Sequence, residues 1–538
     1  MNQKRQFFGY LIIFLVSSLL WQGWEQINGK DGKDSVDSAK DAVANNHIGS
    51  VSKISTIESA PKGRTIEVTT DLIRVVIDRL GGRILEVNLL DYKQEKGKDK
   101  PVALLGQELQ SFLTSQTGLT GDSAVEFTST ASNYALSSNA KELQVSLRGT
   151  NKSGISFTKS FNFQRGRYHF VVDSIVSNNS DRDYSGHYYG QFRQFVASNL
   201  GANKGMIERF FSATRINTFT GVSYYSNQDS YTKMTYSNID EKMLDKNIVG
   251  GWMAVQKPYF LGAWVPQNNQ VNHLYSDQKS SYDGKLYTVG MLGRKVIVHP
   301  GEDYKNSMLF YGGPEIAANL KPIAKGLDLT VDYGWLWMLA NGLFWLLSKI
   351  NLIVNNWGLA IILVTCFVKA VFYKMSEASY KSIAKMKSVQ PRLEALKKLH
   401  ADDREKLGVA TRDLFKKEKV NPLGGCLPIL VQIPFFIALY YVLIESVQLR
   451  HAPFMLWIQD LSAPDPLFVL PILMGISMFL QQKLNPKPED PMQEKMMYFF
   501  PVFLTVLFLS FPSGLVLYWV TNNVLSILQQ WSVAKSMK

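Results

Sequence analysis

The hydrophobic positions are unevenly distributed along the 538 residues, and their pattern divides the chain into three parts. Residues 7–24 form a mostly apolar run of about 18 residues, long enough for a membrane-crossing helix. Residues 61–325 show short runs in which apolar and polar residues alternate, the pattern of strands with one buried face. Long apolar runs return from about residue 333, which predicts a helical membrane region after a β-rich domain.

The first apolar run has two interpretations, a cleavable signal peptide or an anchor that stays attached. A signal peptide needs small residues of the A-x-A type after its apolar core. This run ends instead with Trp21 and Trp24, and tryptophan is typical of membrane interfaces. We therefore expect residues 1–24 to be an N-terminal transmembrane anchor. The polar residues 25–60 are expected to form a flexible linker, because they carry too few apolar side chains to build a core.

The alternating runs in residues 61–325 predict a large antiparallel β-sandwich. The RLGG sequence at 79–82 lies between two such runs and is expected to form a turn. An enzymatic role for this domain is an alternative, because large sandwiches also occur in sugar-active proteins. Its scattered histidines are expected to be structural rather than catalytic; they include His169, His187, His273 and His299.

Residues 333–350 are apolar or aromatic on nearly every side, with Trp335, Trp337 and Trp345 among them. These tryptophans favour an amphipathic helix that lies in the membrane interface, although the run is also long enough to span. The following residues 352–533 are expected to form the membrane core. Its predicted spans lie at about 352–373, 423–444, 466–482, 496–510 and 514–531, which with the anchor makes about six.

The charged residues indicate how these spans are oriented. The chain has a net charge of +13, and residues 374–419 alone contain 13 Lys and Arg against 7 Asp and Glu. Loops rich in Lys and Arg stay in the cytosol, so we expect cytosolic termini and a periplasmic β-domain, in the inner membrane of a two-membrane bacterium. The two cysteines, Cys366 and Cys426, lie outside the β-domain, which excludes disulfides and cysteine-based zinc sites there.

The cytosolic segment 376–418 shows helical periodicity on both sides of a polar break at 400–404. Apolar residues recur at steps of three and four, which predicts a hairpin of two amphipathic helices rather than a charged linker. Its basic outer face is a candidate contact for ribosomal RNA or acidic lipid headgroups, without preference for a nucleic-acid sequence. The basic residues concerned are Lys385, Lys387, Arg392, Lys397 and Lys398.

One charged residue, Lys369, interrupts the first span of the core. It lies about five residues from the helix end, roughly 7.5 Å deep, so its side chain can snorkel to the interface. Alternatively it faces a hydrated cavity, because a lipid-facing charge at the membrane centre costs about 2.5–3.5 kcal/mol. Polar residues in other spans favour a shared cavity, although isolated ones also cross-link helices. These polar residues are Thr365 of the same span and Gln432, Thr521, Asn522, Asn523, Ser526, Gln529 and Gln530.

Four segments of the C-terminal region are distinctive as a set. They are EKVNPLGGCLPILVQIPFFIALYYVL (418–443), APFMLWIQDLSAPDPLFVLPILMG (452–475), DPMQEKMM (490–497) and FPSGLVLYW (511–519). Together they closely resemble the YidC/Oxa/Alb family of membrane protein insertases. The anchor and the β-domain, with GWMAVQKPYFLGAWVP at 251–266, resemble the Gram-negative form of that family. The resemblance implies a five-helix insertase core around a hydrophilic groove, open to the cytosol and to lipid and closed on the far side.

The resemblance also implies roles for particular residues. A positive residue of the family, usually arginine, projects into the groove; Lys369 at the matching position keeps the charge but lacks the planar guanidinium fork. Many relatives carry a longer basic tail after the position of Trp531, so ribosome contact is expected here from the hairpin. The implied groove residues are Lys369, Thr365, Gln432, Trp519, Asn522, Asn523 and Ser526. A hydrophobic slide, with ordinary lipid contact as the alternative, would consist of Leu430, Ile433, Phe436, Ile437, Phe500 and Phe503.

The function implied is that of an insertase and chaperone for inner-membrane proteins, acting alone or with the Sec translocon. Its expected partners are nascent membrane proteins, the ribosome, the translocon and membrane lipids. The sequence has no GxxxxGK[ST] motif and no carboxylate cluster with metal spacing, so we expect no enzyme, catalytic residue, cofactor or metal. A secondary transporter of small solutes is the alternative; it would require paired ionisable groups at mid-membrane and repeated halves.

Overall fold

The computed structural model describes residues 63–108, 112–197, 218–266, 270–281, 284–400, 403–418, 427–485 and 491–536. The predicted anchor (1–24) and linker (25–60) lie outside these residues, as does Cys426. Within them, strands occupy residues 65–314 and helices predominate from residue 337 onward. This division is the predicted one, a β-sandwich domain followed by a helical membrane region.

Eighteen strands form the β-domain within the described residues. They are β1 (Thr65–Thr69), β2 (Ile73–Asp78), β3 (Arg83–Lys93), β4 (Pro101–Leu105), β5 (Leu113–Leu119), β6 (Asn133–Ala135), β7 (Glu142–Thr150), β8 (Ile155–Gln164), β9 (His169–Asn178), β10 (Tyr184–Ala197), β11 (Gly221–Ser226), β12 (Ser230–Met234), β13 (Asp245–Val249), β14 (Trp252–Lys257), β15 (Phe260–Pro266), β16 (Val271–Ser281), β17 (Gly284–Val298) and β18 (Asp303–Pro314). In β9 every second residue is buried, so its period-two sequence pattern corresponds to one face turned towards the core.

The strands form two sheets. One has ten strands, in the order β13-β16-β17-β10-β5-β3-β2-β1-β6 with β4 beside β3, and the other has eight, in the order β12-β11-β14-β15-β18-β9-β8-β7. Strands that follow one another in the chain, such as β8 and β9, mostly pair as antiparallel hairpins. The antiparallel sandwich predicted from the sequence is therefore confirmed, with the parallel pair β1 and β6 as an exception.

The two sheets share a core of aromatic side chains. Trp264 of β15 meets Phe310 of β18 edge-on, with ring centroids 4.9 Å apart, and Phe192 of β10 lies 6.2 Å from Phe310. The indole nitrogen of Trp264 donates a 2.7 Å hydrogen bond to Ser115 Oγ in β5 of the opposite sheet. Because Trp264 is fully buried, this bond satisfies a polar group that burial would otherwise penalise.

A buried ion pair connects β8 to the residues after β5. Lys159 Nζ lies 2.9 Å from Asp122 Oδ2 and also donates to the carbonyl oxygens of Gly81 at 2.7 Å and Thr117 at 2.6 Å. The predicted RLGG turn lies against this pair: Gly82 has a φ of +60°, and a Cβ there would approach Lys159 Cδ to 2.9 Å. The turn thus requires glycine both for its backbone angle and for space.

Ten α-helices are present in the described part of the chain. They are α1 (Tyr236–Glu241), α2 (Ala317–Leu320), α3 (Trp337–Val354), α4 (Trp357–Val371), α5 (Tyr373–Leu399), α6 (Arg404–Lys417), α7 (Leu427–Glu445), α8 (Val469–Leu484), α9 (Pro491–Phe508) and α10 (Ser513–Ser536). Helices α4, α7, α8, α9 and α10 coincide with the five apolar runs that the sequence assigns to the membrane core.

The length and composition of the helices bear on which of them cross a membrane. The segment Gly334–Val354, which includes α3, is long and apolar enough to cross by itself. Helices α4 and α5 qualify as a pair, but they bend by 70° at Phe372. The apolar parts of α7 and α8, Val431–Glu445 and Val469–Leu484, are shorter. The interfacial position of residues 333–350 stays a prediction.

The core helices share one buried apolar cluster. Val516 of α10 is buried together with Ile361 of α4, Leu443 of α7 and Met474 of α8. This apolar half of α10 ends where its polar residues begin, at Thr521. The packing of the first half therefore holds the polar half of α10 against the neighbouring helices at one end of the bundle.

Helices α5 and α6 occupy the segment predicted to be a cytosolic hairpin. Val389 and Leu393 of α5 are buried, as is Phe415 of α6, which are positions on the apolar faces of the two helices. Asp403 begins α6, because its side chain accepts a 3.0 Å hydrogen bond from the Lys406 backbone nitrogen. The helices extend from Tyr373 to Lys417, close to the predicted bounds of 376–418.

Candidate functional site

Lys369 lies in the last turn of α4, and its side chain is only 9% exposed. Its Nζ donates a 2.7 Å hydrogen bond to Ser526 Oγ on α10, so it points into the bundle rather than along α4 to the interface. Within the described residues no carboxylate forms an ion pair with it. A buried ammonium with a neutral partner keeps most of its attraction for a negative charge.

The hydroxyl of Ser526 joins two helices. It accepts from Lys369 of α4 and donates to the Asn522 carbonyl oxygen of α10 at 2.7 Å. Ser526 is only 2% exposed, so the hydrogen bond with Lys369 is shielded from solvent.

The side-chain amides of α10 are paired with neighbouring helices. The pairs are Asn522 Nδ2 to Gln432 Oε1 (3.1 Å), Asn523 Nδ2 to Ser477 Oγ (2.9 Å), Gln529 Nε2 to the Tyr373 carbonyl oxygen (3.0 Å) and Gln530 Nε2 to Asn485 Oδ1 (3.1 Å). The space beside Lys369, lined also by Phe372, Phe435 and Asn522, is on the scale of a single water molecule. Buried amides satisfy one another when they are within reach, and the shared hydrated cavity expected from the sequence stays a prediction.

Two further predicted groove residues have different surroundings. Thr365 is buried one turn before Lys369, and its hydroxyl donates to the Ile361 carbonyl oxygen of its own helix at 2.7 Å. The Trp519 ring meets Phe436 edge-on, with centroids 4.7 Å apart. Trp519 Nε1 is buried and has no hydrogen-bond partner among the described residues. An indole N–H in this state is a donor available to an incoming acceptor.

The predicted hydrophobic slide divides into outward-facing and inward-facing residues. Ile433 of α7 and Phe500 and Phe503 of α9 are exposed on the bundle surface. Phe436 is half-buried and contacts Phe508 and Trp519 as well as Tyr518, so it packs inside the bundle. Ile437 is also half-buried, and the side chain of Leu430 lies outside the described residues.

The predicted basic face of the hairpin is largely exposed. Lys385, Lys387 and Lys398 are exposed on α5. Arg392 is exposed too, but its guanidinium forms a 2.5 Å ion pair with Glu418 after α6. The side chain of Lys397 lies outside the described residues. Four of the five predicted lysines and arginines are therefore exposed on α5, and one of them, Arg392, is paired with Glu418.

Sequence reasoning missed two residues whose side chains bind the amides of α10. Ser477 of α8 is buried and accepts from Asn523, and Asn485, directly after α8, accepts from Gln530. Ser477 is a single polar residue in an apolar span, a weak signal shared with many structural serines.

The loop between α7 and α8 closes the opposite end of the bundle. Asp465 is buried and accepts hydrogen bonds from Trp457 Nε1 at 2.9 Å and from two backbone nitrogens at the start of α8. Asn356, which caps α4, donates to the Phe454 carbonyl oxygen of this loop at 2.9 Å. Ser513 at the start of α10 donates its backbone N–H to the loop as well. The polar region thus lies at one end of the bundle and a hydrogen-bonded loop at the other.

The same loop end contacts the β-domain. Arg450 donates to the Gln94 carbonyl oxygen at 2.9 Å, and its guanidinium lies 5.8 Å from the centre of the Phe260 ring. A 2.7 Å ion pair joins Lys233 of β12 to Asp332, just before α3. The β-domain is therefore attached to the bundle at the end that carries the closing loop.

The histidines of the β-domain lie on separate strands and do not converge. His187 Nδ1 is 3.0 Å from the Gly293 carbonyl oxygen, and His299 Nδ1 is 2.9 Å from Asp183, whose carboxylate raises the pKa of His299. No group of three or more His, Cys, Asp or Glu able to hold a metal ion is found among the residues that the structure describes. That these histidines are structural stays a prediction.

Comparison with known families covers almost the whole chain. Residues 65–346 match the family described as YidC periplasmic domain, and residues 349–538 match 60Kd inner membrane protein. The chain belongs to the YidC insertase family. The resemblance seen in the sequence is confirmed, and as a YidC family member the chain is an inner-membrane protein with a periplasmic β-domain.

The similar YidC proteins align along nearly their full length. The membrane protein insertase YidC of Marinomonas sp. (strain MWYL1) is 40% identical over 557 residues, covering 99% of both chains. That of Coxiella burnetii (strain Dugway 5J108-111) is 42% identical over 492 residues, covering 90% of this chain and 85% of the relative. A crystal structure of an active YidC insertase with its first transmembrane domain resolved covers 87% of this chain and 92% of its own, at 18% identity and a TM-score of 0.39. That structural similarity is too low for detail to be transferred.

Proposed function

We propose that this chain inserts membrane proteins into the inner membrane, by admitting short polar segments of nascent chains to the polar core around Lys369. The observation that supports this most directly is the buried ammonium of Lys369, whose hydrogen-bond partner is the neutral hydroxyl of Ser526. A charge held in this way is available to an acidic residue of a passing segment. Related proteins of 40% identity are insertases, which leaves the alternative of a secondary transporter without support.

Without a substrate, the side-chain amides of the polar core are hydrogen-bonded to one another. When a polar segment enters, hydrogen bonds to the segment replace these pairs. Each pair, such as Asn522 with Gln432, is a neutral hydrogen bond with a net value of about 0.5–1.5 kcal/mol. An entering peptide or water molecule offers the same donors and acceptors, so replacement costs little. The free N–H of Trp519 adds a donor for a backbone carbonyl of the segment.

The length of the polar region sets how far a polar segment descends before it meets hydrocarbon. Thr521 to Gln530 spans roughly 14 Å of α10 at 1.5 Å per residue. The hydrocarbon core of a bilayer is about 30 Å thick, so a segment within this region has roughly half of it left to cross. Shortening the dry path lowers the cost of moving unsatisfied backbone groups through lipid. The loop around Asp465 keeps the far end closed to solutes.

Once the polar segment has entered, the apolar part of the substrate leaves sideways into lipid. The exposed side chains of Ile433, Phe500 and Phe503 form an apolar surface on α7 and α9 along which it slides. Partitioning of the apolar segment drives the step, at about 25 cal/mol per Å² of apolar surface removed from water. The membrane potential assists negative segments moving outward, by about 2.3 kcal/mol per charge per 100 mV.

The orientation and the partners follow from the charges. The hairpin with Lys385, Lys387 and Lys398 lies in the cytosol, where it contacts the ribosome or acidic lipids, and both termini are cytosolic. Residues 333–350 lie in the periplasmic interface. Tyr333 shares a 3.4 Å hydrogen bond with Ser446 at the end of α7, which places the start of α3 at the same end of the bundle as the start of α4. Cooperation with the Sec translocon rests on the family resemblance.

Depletion of the protein followed by protease protection tests the proposal. In the parent, protease added from the periplasmic side should cleave the short translocated tails of newly made inner-membrane proteins. After depletion, this cleavage should fall to the background level, and re-expression of the protein should restore it. Unchanged insertion during depletion would contradict the insertase function. Uptake of radiolabelled small solutes by vesicles, which a transporter would support, should not depend on the protein.

A further inference from the structure

We propose that the β-domain clamps the loop between α7 and α8, and that this clamp keeps the periplasmic end of the bundle closed. The loop comprises residues 446–468, and we call it the closing loop. The inference goes beyond the proposed insertion activity, because it gives the β-domain a role of its own. It starts from the first residues of the closing loop, which contact both the β-domain and the bundle.

The short 3₁₀ helix Val447–Leu449 connects the apolar cores of the two parts of the chain. Val447 is 2% exposed and belongs to the buried cluster of the β-domain, whose other buried members all lie between Ile66 and Phe310. Leu449, two residues later, is fully buried in the cluster of the core helices. Moving the start of the closing loop would therefore expose apolar surface in one core or the other, which is unfavourable in water.

Two cations extend this attachment along the closing loop. Arg450 of the loop donates to the Gln94 carbonyl oxygen of the β3–β4 connection at 2.9 Å. Lys96, in the same connection, donates to the carbonyl oxygens of His451, at 3.3 Å, and of Gln459. A single ammonium of the β-domain thus binds two places that are eight residues apart in the closing loop, and it holds the two halves of the loop together.

The backbone of the closing loop is strained where the clamp holds it. His451 has a φ of +58°, and Leu456 farther along the loop has a φ of +51°, both in the left-handed region that favours glycine. The side chain of Leu456 is 73% exposed, so its packing contributes little to this conformation. Strained residues persist only when the surrounding structure fixes them. The hydrogen bond from Lys96 to the His451 carbonyl oxygen supplies part of that restraint.

The same loop covers the first turns of α4 and α10. Ser513, at the start of α10, donates its backbone N–H to the Ala463 carbonyl oxygen at 2.7 Å. The ring of Phe454 lies directly against Gly358 in the first turn of α4, where a Cβ would overlap it. These are the two helices whose other ends carry the polar core, so the closing loop separates that core from the periplasm.

Release of the clamp would loosen these contacts together. The strained closing loop would relax, and water and small ions would reach the bundle from the periplasmic side. Polar segments of nascent chains would still enter at the opposite end. The β-domain therefore acts as a lock on the closed end and leaves the entrance for substrates unchanged.

Hydrogen exchange of the full-length protein in nanodiscs tests the clamp. Lys96→Met removes both hydrogen bonds of the ammonium, and Lys96→Met with Val447→Ala also shortens the apolar anchor. Backbone exchange in residues 450–465 and at Ser513 should rise about three- to tenfold in Lys96→Met, the range expected for one net hydrogen bond, and further in the double variant. Lys96→Arg keeps a cationic donor and should exchange as the parent does.

Lys98→Met is the matched control. Lys98 lies in the same connection as Lys96, but it forms an ion pair with Glu95 at 2.7 Å, so its loss should leave exchange in the closing loop at the parental rate. Exchange in β8 and β9 reports the folding of the β-domain and should stay the same in every variant. Unchanged exchange in the closing loop of Lys96→Met and of the double variant would overturn the inference. An increase of equal size in β8 and β9 would also overturn it, because it would indicate general loosening of the β-domain.

Leakage of protons measures the closure itself. Liposomes that contain the double variant should dissipate a proton gradient, reported by an enclosed pH-sensitive dye, several times faster than liposomes with the parent or with Lys98→Met. Equal leakage with the parent and the double variant would overturn the inference that the clamp controls closure. The double variant should still insert a single-span substrate with a short translocated tail. If the parent inserts no more substrate than protein-free liposomes do, the proposed function fails, whereas the exchange and leakage results still decide the clamp.

Discussion

Changing the charge at Lys369 is the most direct test of how the polar core acts on its substrates. Lys369→Met removes the charge but keeps a long side chain, Lys369→Glu reverses it, and Lys369→Arg restores the residue usual in the family. We expect Lys369→Arg to retain insertion of all substrates. Lys369→Met and Lys369→Glu should impair substrates with acidic translocated segments in that order, because the first loses an attraction and the second adds a repulsion.

The expected size follows from Coulomb's law and the position of the ammonium. Substrate carboxylates approach a group that is buried beside Ser526, so a separation of about 8 Å and an effective dielectric of about 20 give an interaction of about 2 kcal/mol. Lys369→Met should therefore slow the insertion of a singly acidic segment by roughly thirtyfold, since about 1.4 kcal/mol corresponds to a factor of ten. Reversal to Glu doubles the energy change, to about 4 kcal/mol.

The assay is initial-rate insertion into proteoliposomes, measured by protease protection, for paired substrates that differ only in Asp or Asn in the translocated tail. The Asn substrate is the internal control, because its rate should change little among the variants. Equal rates for the Asp substrate with Lys369→Glu and the parent would refute the electrostatic role of Lys369. If Lys369→Met inserted the Asp substrate at the parental rate and Lys369→Arg did not, the site would require a side chain of a particular size rather than a positive charge.

Three further predictions concern the β-domain and the hairpin. Asp122→Asn should lower the free energy of unfolding by about 3–5 kcal/mol in thermal unfolding of the detergent-solubilised protein, because it leaves Lys159 charged and buried; Asp122→Asn with Lys159→Met should recover much of the loss. Burial raises the pKa of Glu315 from 4.5 to about 8, so the folded state keeps a proton that the unfolded chain releases, and stability should fall between about pH 4.5 and 8. Glu315→Gln should flatten that slope in chemical unfolding, by up to about 1.4 kcal/mol per pH unit. Lys385→Glu with Lys387→Glu should weaken sedimentation with ribosomes, most strongly at low salt.

Each of these has an outcome that contradicts it. Equal stability of the single Asp122 variant and the double variant would show that the Lys159 charge is relieved by water. If the free energy of unfolding of Glu315→Gln fell with pH as steeply as that of the parent, a group other than Glu315 would be responsible for the pH dependence. Ribosome sedimentation that does not change with the paired lysine reversal, at any salt concentration, would remove the hairpin from the contact.

The sequence predicts the elements of this chain well because their patterns are local. The period-two runs of the β-domain became strands such as β9, whose alternate residues are buried. The apolar runs became α4, α7, α8, α9 and α10, with ends within about five residues of those predicted. The largest differences are of five residues: α4 begins at Trp357 rather than 352, α9 begins at Pro491 rather than 496, and α10 continues to Ser536 rather than ending at 531.

The pairing of polar side chains could not be predicted in the same way. The sequence places Asn522, Asn523 and Ser526 on one helix, but which neighbour each one meets depends on how the helices pack. Ser477 became the partner of Asn523, and Gln432 the partner of Asn522, only through that packing.

Two buried lysines in this chain show why the partner of Lys369 indicates function. Lys159 is 1% exposed and is neutralised by Asp122 and two carbonyl oxygens, the arrangement needed for an ammonium that only stabilises a fold. Lys369 is nearly as buried, yet its partner is a hydroxyl, which leaves the cost of burying the charge less well compensated. A carboxylate at the position of Ser526 would stabilise the bundle further, but it would compete directly with the carboxylates of a substrate. The partial compensation is therefore what keeps the charge available, and Ser526→Asp should make the bundle more stable while insertion of acidic segments falls to the level of Lys369→Met.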